Sequence, residues 1–385
     1  MSSFTLLRLP QVAIGECLRH LNPIELLDLS QCSKRTSRLI SLARTRDFQL
    51  MLTLDVGRIG LHTKSETFLF KPSNGNGEKI RIVNRKKFKN LREKLRLGPT
   101  SEVKEMELSW RKSRVDLFFH MLHTFNCSVR TLGSGTNTTL ADWKPIIEHV
   151  RKRQAELHHI TIACPIPDEN ELKSLLDTIK ITREIRIKSQ LGANFQYKFW
   201  SCPLILVILK SKWFTFQNLL ECESVRIDLL ESELTSMDLD SFLRMWKNEG
   251  ACEKLEYLVV AGRQLEDGGT ILGMTPPIED KTNNKEIGKN IDDGRDYIGI
   301  SEGVEVQRQD GVKAYIHMAF DPFLQMIKFD DGYSSAGISE YVEIEGHNGV
   351  KVLMRLAPDS TSNDLMMFQL LVLKENSKYP VVVVN

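Results

Sequence analysis

Chemistry in this chain would have to come from its histidines, cysteines and glycine-rich turns, and their spacing favours none of the common reactions. His120 and His123 stand three apart in a stretch of helical periodicity, where such a pair could offer two zinc ligands. No Glu follows the first His as a metalloprotease helix requires, and Phe118, Phe119, Met121 and Leu122 around the pair read as core packing. His158 and His159 are adjacent in a strand-like segment, so they point to opposite faces and do not share an ion. Gly133-Ser134-Gly135 lies between a strand-like and a helix-like segment, the context of a phosphate loop. Thr138 stands where a third glycine would be and no Gly-Lys-Ser/Thr follows, which leaves a simple βα turn. Gly-x-Ser-x-Gly is absent, so there is no nucleophile elbow. The sequence thus predicts no catalytic residue, no metal site and no cofactor.

Seven cysteines, at 17, 32, 127, 164, 202, 222 and 252, are scattered without a C-x-x-C pair. That suits reduced, buried thiols better than a disulfide framework. The N-terminus lacks a charged region followed by an apolar one, and the longest apolar run, 203–209, is too short to span a bilayer. The expected address is cytoplasmic or nuclear, with no membrane partner. Net charge is only +2, but residues 34–114 hold 21 Lys or Arg against 8 Asp or Glu, so one end is basic and the remainder acidic. Nine of these cations fall in 79–96, with Phe88 among them. Phosphate attraction makes nucleic acid an alternative partner for that run. A solvated helix face is the plainer reading, because no recognition-fold signature accompanies the charge. Phe88, Leu91 and Leu95 give 85–96 a helical spacing.

The elements come next. Leu9-Pro10 opens a first helix with Ile14, Leu18 and Leu21 on one stripe. Asn22-Pro23 with Glu25 starts a second, carrying Leu26 and Leu29, and Ser33-Lys34-Arg35 starts a third. Three helices this short cannot bury all their apolar surface on one another, so part of it calls for a partner. The line from Leu9 to Lys34 resembles an F-box, although Ala13 is smaller than the usual aliphatic and Thr36 replaces a common aromatic. That resemblance implies docking to a Skp1-like adaptor of a cullin ubiquitin ligase. Leu9, Pro10, Ile14, Leu18, Leu21, Pro23, Leu26, Leu29 and Lys34 are then the adaptor-binding residues.

Downstream, strand-like segments at 48–56, 66–71 and 79–84 precede a rhythm of strands at 103–110, 128–134, 157–164, 183–189, 224–231 and 255–262. Helix-like segments at 115–125, 140–154, 168–180 and 236–247 lie between them, while 203–220 is ambiguous. Asn74-Gly75-Asn76-Gly77 is a turn signal. The spacing predicts a degenerate leucine-rich-repeat-like βα array without the asparagine ladder of such repeats. An exposed loop at 266–296 and an antiparallel C-terminal region follow. Phe242, Leu243, Trp246, Leu255, Glu256 and Leu258, within 234–260, together with 307–329, resemble the F-box-associated domain expanded in nematodes. The expected class is α/β, divided into an F-box at 4–46, the array at 47–265, the loop at 266–296 and the β region at 297–385. The implied role is that of a non-catalytic receptor presenting an unknown substrate protein for ubiquitination. A repeat-type interaction scaffold without a ligase role is the alternative.

Overall fold

The chain enters its main sheet in the middle and builds outward in both directions. The computed structural model describes residues 6–43, 45–54, 58–63, 66–74, 81–88, 102–110, 113–266, 268–282, 286–291, 296–321, 341–345, 351–355, 365–374 and 381–384. Helices α1 (Gln11–Arg19), α2 (Pro23–Ser30) and α3 (Lys34–Leu39) come first, then two 3₁₀ turns, Ile40–Ala43 and Thr45–Asp47. Strand β1 (Gln49–Thr53) follows. It pairs antiparallel with β2 (Arg58–His62) on one side and parallel with β6 (Ser128–Gly133) on the other.

The first wing adds β3 (Glu66–Asn74), β4 (Arg81–Phe88) and β5 (Glu102–Trp110). The second runs through β7 (Glu156–Ile162), β8 (Lys180–Ile187), β9 (Ile205–Ile208), β10 (Arg226–Leu229) and β11 (Tyr257–Ala261), all parallel and in chain order. Helix α4 (Arg114–Phe125) leads into β6, and α5 (Leu140–Arg151), α6 (Glu169–Thr178), α7 (Phe216–Glu221) and α8 (Ser236–Glu249) make the connections, except from β8 to β9, which no helix bridges among the described residues. Strands taken in order with right-handed crossovers put every helix on one face. The burial agrees: Leu132, Ile160, Ile185, Leu206, Ile227 and Leu258 share one apolar cluster with Trp143 of α5, Leu172 of α6, Leu219 of α7, and Phe242 and Trp246 of α8.

The remaining strands are β12 (Glu286–Ile291), β13 (Asp296–Ser301), β14 (Val304–Gln307), β15 (Lys313–Asp321), β16 (Tyr341–Glu345), β17 (Lys351–Arg355), β18 (Leu365–Leu373) and β19 (Val381–Val384). β18 lies antiparallel beside β11, and the 14-stranded order is β14-β15-β18-β11-β10-β9-β8-β7-β6-β1-β2-β3-β5-β4. The C-terminal strands therefore extend the array. β12, β13 and β19 form a small sheet over the face opposite the helices, where Ile287, Ile291, Ile298 and Ile300 pack on Tyr257, Val259, Ala261, Met367 and Leu371. Strand β11 is buried at every position, as a strand covered on both sides must be. β16 and β17 form a separate antiparallel pair.

Several expectations need correction. Residues 85–88 belong to strand β4 rather than to a basic helix, and 89–101 lie outside the described residues. The turn signal at 74–77 does not join neighbouring strands, because β5 sits between β3 and β4. The 103–110 segment is not the first array strand, since β1, β2 and β3 separate it from β6. The long interval between 183 and 224 hides β9, which four consecutive buried aliphatics leave without an alternating pattern. Within 266–296, Ile271 and Ile278 are buried and 286–291 is a strand, so this part is stitched into the core rather than looped out. Glycines and charges there disguise it, because only single apolar residues anchor each turn.

Candidate functional site

Local chemistry fixes the N-terminal helices first. Pro10 precedes α1 in extended backbone and offers no side-chain cap. Asn22 caps α2: its Oδ1 accepts from the Ile24 and Glu25 amides at 2.9 and 3.0 Å, while its own amide donates to Glu25 at 2.8 Å. Ser33 and Thr36 form the same reciprocal box on α3, at 3.1 and 2.9 Å. That accounts for Thr36 where an aromatic would otherwise be common, since its hydroxyl caps the helix from a buried position.

These helices are fastened to the array. α1 packs on the Ile40–Ala43 turn, which also meets α4, and α2 touches both α3 and α4. Gly15 lies where an added Cβ would be 3.4 Å from the Leu42 carbonyl, so α1 approaches that turn closely. The Thr45 hydroxyl donates to the Phe125 carbonyl at the end of α4. Ile14, Leu18, Pro23 and Leu26 are buried, the three aliphatics among them in the shared core. Leu9, Leu21 and Leu29 are partly buried against it, while Pro10 and Lys34 are exposed. Sequence reasoning missed Val12, which is 79 % exposed. Its signal was an apolar residue standing off the stripe of Ile14, Leu18 and Leu21.

A second feature opens at the carboxyl ends of β6 to β10, where open α/β sheets usually bind ligands. It is a cleft of about 650 Å³ lined by Cys164, Pro165, Pro167, Lys188, Leu209, Lys210, Leu230 and Glu231 among others. Buried serines tie the turns around it, Ser189 among its lining residues. Ser134 Oγ accepts from the Ala163 and Cys164 amides at 2.8 and 3.1 Å, Ser189 donates to the Cys164 carbonyl at 2.6 Å, and Ser211 donates to the Leu230 carbonyl at 2.8 Å. Ser232 continues the series and accepts from the Leu234 amide at 3.1 Å. These hydroxyls satisfy turn backbone from strand to strand. The Gly133-Ser134-Gly135 segment thus has a structural task, which its resemblance to a phosphate loop obscured.

His123 is exposed and meets His149 edge-on at 5.3 Å, and burial, with His123 second, holds the His149 pKa below its usual value. His158 and His159 diverge as expected: the first is exposed, while burial pushes the second down to about 3. All seven cysteines are free thiols. Burial raises Cys127 to about 12, whereas a hydrogen bond from Cys222 lowers Cys202 to about 7. Trp200, 80 % exposed, lies 5.9 Å from the Lys198 ammonium. Among the described residues no helix is long and apolar enough to cross a membrane.

Comparison with known families gives the class. The F-box domain model matches residues 6–46, over α1 to α3, and the F-box associated model matches 192–260, from the approach to β9 through β11. The chain carries the two modules of a nematode-type F-box protein. That pairing is typical of non-catalytic adaptor subunits, in which F-box domains generally bind Skp1 and the associated domain binds substrates. An uncharacterized Caenorhabditis elegans protein is 23% identical over 274 residues, 66% of this chain and 61% of the relative. The match therefore spans about three-fifths of that protein's length. No solved structure matches the chain.

Proposed function

We propose that this protein is the substrate-recognition adaptor of a Skp1–cullin–F-box ubiquitin ligase. The observation that carries the reading is the pairing of an F-box domain with an F-box associated domain in one chain. The packing of α1, α2 and the Ile40–Ala43 turn on α4 supports it, because a stiff junction holds a bound substrate at a fixed distance from the ligase. The nine residues expected to bind the adaptor divide by burial. Ile14, Leu18, Pro23 and Leu26 hold the helices in place. Pro10 and Lys34, the partly buried Leu9, Leu21 and Leu29, and Val12 provide the docking surface. The array of β6 to β11, read as leucine-rich-repeat-like, presents the target at its carboxyl edge. Ubiquitin chemistry belongs to the partners, and the reduced thiols fit a cytoplasmic or nuclear address.

Co-purification with a Skp1-type adaptor tests this. The Leu9→Ala, Pro10→Ala double variant is expected to lose capture while keeping its melting temperature. Undiminished capture would sink the adaptor reading.

One observation favours a second reading. Ile14 and Leu18 are buried in the core shared with the array, as they would be if the F-box-like helices only capped a stand-alone interaction scaffold. In that case the protein binds no adaptor at all.

A further inference from the structure

Three side chains far apart in sequence converge at the edge of the C-terminal strands. Glu279 lies before β12, Glu302 in the β13–β14 turn and His317 on β15. Each places one ligand atom within 4.8 Å of the others, and all three residues are half-buried. Main-chain bonds fix the arrangement. Ile278 and Met318 exchange both backbone hydrogen bonds at 2.8 Å, which sets Glu279 opposite His317 across an antiparallel bridge. The Asp280 amide donates to the Glu302 carbonyl at 2.6 Å, which ties the third residue to the first.

Two observations point to a cation. The His317 Nδ1 is buried with no hydrogen-bond partner among the described residues, an expensive state for an imidazole nitrogen. The Glu279 carboxylate also draws in positive charge: the Lys281 ammonium lies 2.7 Å from its Oε1. Lys281 is 74 % exposed, so this cation is held on a flexible stem and can be displaced.

We propose that Glu279, Glu302 and His317 form a divalent metal site of the zinc class, in which the ion clips the 275–282 segment to the β14–β15 hairpin. One imidazole nitrogen and two carboxylate oxygens suit zinc or a neighbouring first-row ion better than calcium or magnesium, which prefer all-oxygen sets. Three protein ligands leave a fourth position for water. The spacings of 23 and 15 residues match no metal motif, so the sequence does not announce the site. The placement is independent of the adaptor reading.

Titrating chelator-treated full-length protein with Zn²⁺, by calorimetry and by melting temperature, tests this. One equivalent is expected to bind and raise the melting temperature. His317→Gln and Glu302→Gln should each weaken binding by about tenfold or more, since even ligand-orienting residues are worth that much. Lys281→Met, at an exposed position, should tighten binding by removing the competing cation, which keeps the test open if a ligand variant misfolds. A Co²⁺ spectrum should lack the thiolate charge-transfer band that binding at Cys202 or Cys222 would give. Stoichiometric binding that survives in His317→Gln, a thiolate band, or no binding to the parent protein would each overturn the proposal.

Discussion

His159 shows how one side chain links sheet geometry to acid sensitivity. It sits on β7 opposite Thr131 of β6 and Glu184 of β8, where burial depresses its pKa to about 3 against the nearby Glu184 carboxylate. The folded state keeps the ring neutral, and the unfolded chain takes up a proton below about pH 6.5. Stability from this group is therefore complete above that pH and falls as pH drops toward 3, by about 1.4 kcal/mol per unit. Urea melts between pH 7 and 4 should show the loss, and His159→Gln should flatten it. An unchanged slope in the variant would assign the acid sensitivity elsewhere. Gly262 makes a steric prediction of the same kind. A Cβ there would lie 2.2 Å from the Ser232 carbonyl, so Gly262→Ala should cost about 2 kcal/mol or more in chemical denaturation, against a few tenths if the backbone can yield.

Among the elements, α2 and the small β12-β13-β19 sheet are held in different ways. Asn22 caps α2 through two amides, so Asn22→Ala should cost about 1 kcal/mol, whereas Asn22→Asp should not. The small sheet is pinned by Lys289, whose fully buried ammonium reaches Glu256 at 2.8 Å and the Val372 carbonyl at 3.1 Å. Glu256→Ala would leave that charge buried without its carboxylate and should cost about 3 kcal/mol. A loss under 1 kcal/mol would mean that Lys289 swings out to water. Elements with a pattern of their own were legible in the sequence. Proline-led α1, capped α2 and α3, amphipathic α4 to α6 and α8, and the strands β6, β7, β8, β10 and β11 follow from periodicity and helix-start signals. β9 was ambiguous because four buried aliphatics carry no period, and β12 was read as loop because glycine, asparagine and charge mask it. The order of β1 to β5 depends on pairings distant in sequence, which a turn signal such as 74–77 cannot reveal.

At the scale of the whole molecule, the F-box helices and the array share one core, so the proposed docking and recognition surfaces would be rigidly related. The residues proposed for docking were chosen as a set from the sequence, but their division into buried and exposed positions was not legible there, because burial depends on α4, some 90 residues further along the chain. The cleft at the carboxyl ends of β6 to β10 escaped the sequence for the same reason: its walls come from five separate turns. If it receives the target, Lys210→Glu should reduce target capture while leaving adaptor capture unchanged. Equal target capture by the parent and Lys210→Glu proteins would move recognition to another surface, such as that around Trp200.

The most direct measurement compares the parent protein with Val12→Glu for capture of a purified Skp1-type adaptor, with melting temperatures recorded in parallel. Val12 is 79 % exposed, so the substitution spares the core. The parent should bind, and Val12→Glu should melt at the same temperature yet bind about tenfold less, about 1.4 kcal/mol weaker. No capture by the parent, or equal capture by both proteins, would contradict the docking surface described above.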